Sequence, residues 1–410
     1  MSNFYSLFTV LGLEIEYMLV DRETLEIKPL SDVLLHDLAG HMVNEVPLGN
    51  GEIAASNELV LHVIELKNNG PKPPSSALVD SFQQAITTLL PHLAKHNLQL
   101  LPSGAHPWMN PHTETKRWPH GNQAIYQQYD AIFDCQGHGW ANLQSMHMNL
   151  PFANEDEFCK LHNAIRLILP LLPALAASTP FLDGKKTGLI DSRLYFYGKN
   201  QQRIPSISGE IIPEFIRSQT QYKQTILEPM YKEISPFDKE GLLQHQWLNS
   251  RAAIPKFDCQ AIEIRIIDSQ ECVQADVAIA LAVTAILKQW IESSDYYLHQ
   301  PCEVMRLRAV YDLAIKEGFA FSIDDSQLCR QWQLPPRTMT AQAVWSHLIE
   351  RVSSALDAKS QQTLEFILSQ GNLSERLLRA CGNDHSKTNL SRLYRQLGHC
   401  LSTNTLFNPA

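Results

Sequence analysis

The chain has 410 residues, of which 44% are hydrophobic and 19% charged, with a formal net charge of 34 − 43 = −9. That is an ordinary globular composition with length for a large core and more than one domain, and the acidic balance argues against a general nucleic-acid binder. The eight cysteines are scattered without any C-x-x-C, which excludes a zinc knot or a disulfide framework and reads as free thiols in a reducing cytosol.

The N-terminus has no basic region ahead of its apolar residues, so no signal peptide is expected, and no uninterrupted apolar run is long enough to span a membrane. A cytoplasmic protein is the expectation. GLEIEYMLVD (12–21) alternates and predicts a strand over 12–20, with Glu14 and Glu16 on one side and Leu13, Ile15 and Tyr17 on the other. ELVLHVIEL (58–66) reads as a second strand, with Glu58 at its start and Glu65 near its end. NGPKPPSS (69–76) is a turn that ends in helix N-cap candidates; Leu78, Phe82, Ile86, Leu89 and Leu93 then recur at helical spacing. Residues 102–122, rich in Pro, His, Asn and Trp, read as a long loop.

LQSMHMNL (143–150) predicts a strand with Ser145, His147 and Asn149 on one face. A helix follows over 156–178, which Pro170 and Pro173 should kink or shorten. Residues 178–188 and 197–214 read as loops. AIEIRIID (261–268) is a strand with Glu263 and Arg265 on one face, and 274–291 is a helix apolar on most sides, hence buried. After about residue 292 the strands fade, and helices are expected over 340–357 and 373–382, the second stopped by Gly382. The expected division is a core over 1–291 and a helical region over 292–410 packed on it.

Three distant strands thus pair an apolar face with an ionisable one. A mostly antiparallel curved sheet with helices behind it, an α+β fold, would gather the ionisable groups in one concavity. Neighbouring carboxylates cost free energy unless a cation lies between them. Oxygen ligands with one imidazole suit Mg2+, with Mn2+ as an alternative, and Arg265 would complete a phosphate-handling site. Taken singly, each strand reads more readily as a solvated face than as a metal site. A metal-dependent hydrolase could use the same cluster to activate water, and a binding protein could keep the fold without turnover.

In order along residues 10–290 come GLEIEY, HVIEL, GAHPW (104–108), SMHMN, a turn and "S-R" strand in ASTPFLDGKKTGLIDSRLYFY (177–197), and IEIRIIDSQECV (262–273). Together they resemble the glutamate–cysteine ligase family, in its bacterial branch of carboxylate–amine ligases. The resemblance implies a glutamine-synthetase-like fold and ATP and Mg2+ as cofactors. It implies transfer of a phosphoryl group to the γ-carboxylate of glutamate and attack by an amine such as cysteine. It implies that Glu14, Glu16, Glu58, Glu65, His147 and Glu263 hold metal ions, His147 alternatively lying beside the phosphates. Arg265 would contact the transferring phosphoryl group, Arg193 the acidic substrate's carboxylate and Arg251 the nucleotide phosphates. Many relatives carry H-x-H on the His strand, where this chain has Ser145, a poorer Mg2+ ligand. No P-loop and no G-x-G-x-x-G is present, so the nucleotide would be held through metals and strand residues. No Ser-His-Asp or reactive-Cys signature appears, and the phosphoryl route needs no side-chain nucleophile.

Overall fold

The computed structural model describes residues 4–293 and 301–409. One eight-stranded sheet organises it. Its strands are β1 (Gly12–Asp21), β2 (Glu45–Leu48), β3 (Ile53–Asn57), β4 (Val63–Asn68), β5 (Leu98–Leu101), β6 (Ser145–Pro151), β7 (Ala253–Lys256) and β8 (Ala261–Asp268). Their order is β2-β3-β4-β1-β6-β8-β7, with β5 pairing the second half of β1, and every pairing is antiparallel.

Residues opposite one another in an antiparallel ladder share a face. Leu13, Ile15, Ile64, Leu66, Met146, Met148, Ile262 and Ile264 are buried. They form one apolar cluster with Phe82, Ile165 and Val277 from the helices Ala77–Lys95, Glu155–Ile168 and Val273–Glu292. The other face is a grid of polar rows. Glu16 lies opposite Glu65, which lies opposite Ser56. Lys67, Glu14 and His147 form the next row. Asn149, Glu263 and Ile254 form the third. A register shift between Ile264 and Ile267 marks a bulge at Arg265, a common device for re-aiming a side chain.

The helix expected over 156–178 breaks where its prolines sit, into Glu155–Ile168, a 3-10 turn at Leu169–Leu171 and a short helix at Leu172–Ala176. Beside this break the carbonyls of Leu167 and Leu171 accept hydrogen bonds from the indoles of Trp332 (2.8 Å) and Trp345 (2.9 Å). Both tryptophans belong to the C-terminal part, which adds the helices Val304–Glu317, Ala341–Val352, Ala358–Gln370, Leu373–Cys381 and Lys387–Thr403. Two helical stretches, Glu155–Ala176 and Val273–Glu292, are long and apolar enough to cross a membrane by composition. They are 89% and 78% buried inside the fold, as core helices are. The cysteines are unpaired.

Three expectations need correction. The strand expected over 58–66 begins only at Val63. The His62 carbonyl still accepts from Leu19 of β1, but before it the backbone bonds outside the sheet: Leu61 donates to Lys116, and Leu59 and Leu61 accept from Trp118 and Ser31. The "S-R" strand is a helix, Ser192–Tyr197, because Asp191 caps it by accepting from the Leu194 amide at 2.8 Å. The helix expected over 340–357 ends at Val352 and continues as a 3-10 turn, Ser353–Ala355.

Candidate active site

The polar face of the sheet floors a cavity of about 370 Å³. Glu14, Glu16, Glu58, Glu65, His147, Arg193, Glu263 and Arg265 all line it. Arg251 does not. Its guanidinium is held by both oxygens of Glu214 (2.6 and 2.7 Å), by Asn249 Oδ1 (3.1 Å) and by the Ser206 carbonyl (3.1 Å).

Two sets of possible cation ligands lie on this floor, four of the five residues on strands and Glu58 just after β3. Glu14, Glu65 and His147 form one, and Glu16, Glu58 and Glu65 the other, with the ligand atoms of each set within 4.8 Å of one another. Glu65 belongs to both and would bridge them. Oxygen donors with one imidazole fit Mg2+ or Mn2+. Ser145 has taken up a supporting role. Its amide (2.7 Å) and hydroxyl (3.1 Å) both donate to Glu16 Oε2, and its oxygen lies 2.8 Å from His147 Nε2. The other ring nitrogen of His147 lies 3.3 Å from Glu14 Oε2.

Charge sorts these groups. Burial, then the Glu16 and Glu14 charges, push the Glu58 carboxyl up to about 8. Burial, then Glu14 and Glu58, raise Glu65 well above the carboxylate range, even though Ser56 donates to it at 2.7 Å. Burial also opposes charge on Glu14, but the His147 hydrogen bond and the Lys256 ammonium outweigh it and leave the carboxyl well below its usual range. For His147, burial is outweighed by Glu14 and the surrounding carboxylates, and the imidazole is raised. Burial and the neighbouring charges thus favour the neutral form of Glu58 and Glu65.

Glu263, expected as a metal ligand, joins neither set. It is 2% exposed; Lys256 contacts its Oε2 and Arg265 Nε lies 2.9 Å from its Oε1. Arg193 is likewise buried and bonds Asp268 through Nε, while its Nη2 is buried without a partner. Motifs distant in sequence hold Asp268 for this task. Ser178 donates to it through amide (2.8 Å) and hydroxyl (3.1 Å), Thr179 through its hydroxyl (3.1 Å). A side chain at Gly104 would meet the Asp268 carboxyl at 2.5 Å, which accounts for the glycine of GAHPW. His106 of that motif points elsewhere, bonding the Leu25 carbonyl at 2.8 Å.

Sequence reasoning missed Lys256, Lys67 and the aromatic wall of the cavity. Lys67, 3.4 Å from Glu65 and 2.7 Å from Glu45, follows the same alternation as Glu65 and was legible. Lys256 was not, because Pro255 disguises its strand as a loop; proline sits on edge strands such as β7. Tyr129 packs 5.4 Å from Trp140 and 5.9 Å from Trp247, ring centre to ring centre, along the cavity wall.

Residues 10–396 match the family model described as glutamate-cysteine ligase family 2. A protein of Archaeoglobus fulgidus, described as uncharacterized, is 37% identical over 285 residues, 69% of this chain and 75% of its own length. A Corynebacterium glutamicum protein named "Putative glutamate--cysteine ligase 2" is 26% identical over 63% of this chain and 61% of its own length. The crystal structure of the Francisella tularensis glutamate–cysteine ligase in complex with AMP superposes with a TM-score of 0.66, over 98% of this chain and 89% of that one. At 13% identity that likeness shows the fold.

Proposed function

The chain belongs to glutamate–cysteine ligase family 2, the carboxylate–amine ligases with a glutamine-synthetase-like fold, and we propose that it joins the γ-carboxylate of glutamate to an amino-acid amine at the expense of ATP. The observation that carries this reading is the grid of Glu14, Glu16, Glu58 and Glu65 facing Arg193 and Arg265 across one cavity. Carboxylates alone would suit a hydrolase, but two buried or half-buried arginines beside them suit phosphoryl and carboxylate groups.

Mg2+ or Mn2+, held by the two ligand sets, would neutralise the charge of ATP phosphates and align them. The remaining work falls to the chain itself. Arg265, braced by Glu263 and donating to the Asn249 carbonyl at 3.3 Å, directs its charge to the phosphoryl group in transfer. Arg193, fixed by Asp268, offers its free Nη2 to a substrate carboxylate. The aromatic wall shields the activated carboxyl from water. No side-chain nucleophile is needed, since positioning and charge neutralisation supply most of the acceleration in phosphoryl transfer. An adenine nucleotide as the phosphoryl source accords with the AMP bound by the Francisella tularensis enzyme.

ADP release in the presence of Mg2+, ATP and glutamate, screened across amino acids, tests the reading. An amine-dependent signal is expected. ADP release from ATP and water alone, unaffected by any glutamate or amine, would instead favour a hydrolase.

A further inference from the structure

We propose that the Lys256 ammonium is a built-in cation of this site, neutralising the corner between Glu14 and Glu263, so that the chain takes divalent cations at only two positions. Those positions are the Glu14–Glu65–His147 and Glu16–Glu58–Glu65 sets. The inference deepens the ligase reading and rests on its premise that the sheet face holds divalent cations.

Lys256 contacts Glu263 Oε2 and lies 3.5 Å from Glu14 Oε1, spanning two strands that do not pair with each other. The register explains how it gets there. On β7, Ile254 lies opposite Glu263 and Lys256 opposite Ala261, so Lys256 shares the face of the polar grid and has a methyl group as its direct neighbour. It can lean diagonally to Glu263, a reach open to long side chains. With Arg265 on the other oxygen, the buried Glu263 carboxylate has a cation on each side. A divalent ion there would have to displace an ammonium and sit against a guanidinium, where like charges repel. Glu263 accordingly falls outside both ligand sets.

Lys67 does not play the same part. It lies 3.4 Å from Glu65, but its closer partner is Glu45 at 2.7 Å and it is outside the residues that line the cavity, whereas Lys256 lines it beside Glu14 and Glu263. A lysine is also suited to the task as a compact point charge that presents three donors to separate oxygens.

The test counts Mn2+ bound per chain from the loss of free-ion electron paramagnetic resonance signal, with no nucleotide or substrate present. The wild type is expected to bind two. Lys256→Gln is expected to bind three, Lys256→Arg two, and the Lys256→Gln/Glu263→Gln double variant two again. Glu263→Gln alone should leave the count at two, which keeps the test decisive if Lys256→Gln fails to fold. Three ions in the wild type falling to two in Glu263→Gln would overturn the proposal, as would an unchanged count in folded Lys256→Gln. Binding of no Mn2+ by the wild type would overturn it too. The outcome is separable from the ligase reading: two ions without any ADP release sinks the reading and leaves Lys256 its role, while three ions with amine-dependent ADP release does the reverse.

Discussion

Glu58 and Glu65 carry the clearest residue-level consequence. The Glu58 carboxyl rises from an ordinary 4.5 to about 8 in the folded chain, through burial and the charges of Glu16 and Glu14. Between those values the unfolded chain has lost the proton and the folded chain still binds it, so stability without metal falls as pH rises through that window. Cation binding requires the ionised carboxylate and must expel the proton. Calorimetric titration of Mn2+ at pH 7, in buffers of different ionisation enthalpy, should therefore show proton release. The thermal stabilisation by Mn2+ should also grow from pH 5 to pH 8; a stabilisation independent of pH and buffer would show that the carboxyls are already ionised. Arg193 supplies a second prediction. Arg193→Lys keeps a charge but cannot both hold Asp268 and present a free donor, so KM for the acidic substrate should rise at least about tenfold, the worth of a charged hydrogen bond. A change in kcat alone would place Arg193 outside substrate binding.

The proline break at residues 169–171 shows elements holding one another in place. Pro170 and Pro173 interrupt the helical ladder, and two indoles from the C-terminal part take up carbonyls at the break. Trp345→Phe keeps an aromatic ring and removes the buried indole hydrogen bond to the Leu171 carbonyl. Chemical denaturation should show a loss of about 1–3 kcal/mol. Strands β1, β6 and β8 were legible because each is covered on one face and polar on the other, and that asymmetry is written as alternation. Residues 58–61 were not, because their apolar pattern resembles a strand while the backbone of Leu59 and Leu61 bonds Lys116, Trp118 and Ser31 rather than a neighbouring strand. The Ser192–Tyr197 helix was missed because six residues are too few for helical spacing to show. Arg251, which the resemblance places at the nucleotide phosphates, is held by Glu214, 37 residues away in sequence and not foreseeable from the pattern around it.

At the scale of the whole molecule, the C-terminal helices and the catalytic face meet through buried charge. Arg376, fully buried, bonds Glu271 and the Phe407 carbonyl, and Glu271 follows β8 by three residues. Arg376→Ala would strand the Glu271 carboxylate in the core and should cost about 3–5 kcal/mol in equilibrium unfolding. Near-wild-type stability would mean that the C-terminal part is held by apolar packing alone. The pair was not legible in advance: Glu271 lies within IEIRIIDSQECV, but its partner Arg376 is in the tail, which carries no motif. The net charge of −9 was equally silent about the cavity. There the acids are matched by Lys256, Arg193 and Arg265 and, on this account, by two divalent ions.

In the proposed function, this matched charge serves phosphoryl transfer to a carboxylate. ADP release with Mg2+, ATP, glutamate and a panel of amino acids, in wild type and Glu14→Gln, tests that role. Release is expected to require both glutamate and an amine and to fall at least about a hundredfold in Glu14→Gln, in line with the loss of a group that organises transition-state charge. No nucleotide hydrolysis with any amine, together with no Mg2+-dependent binding of ATP, would contradict it.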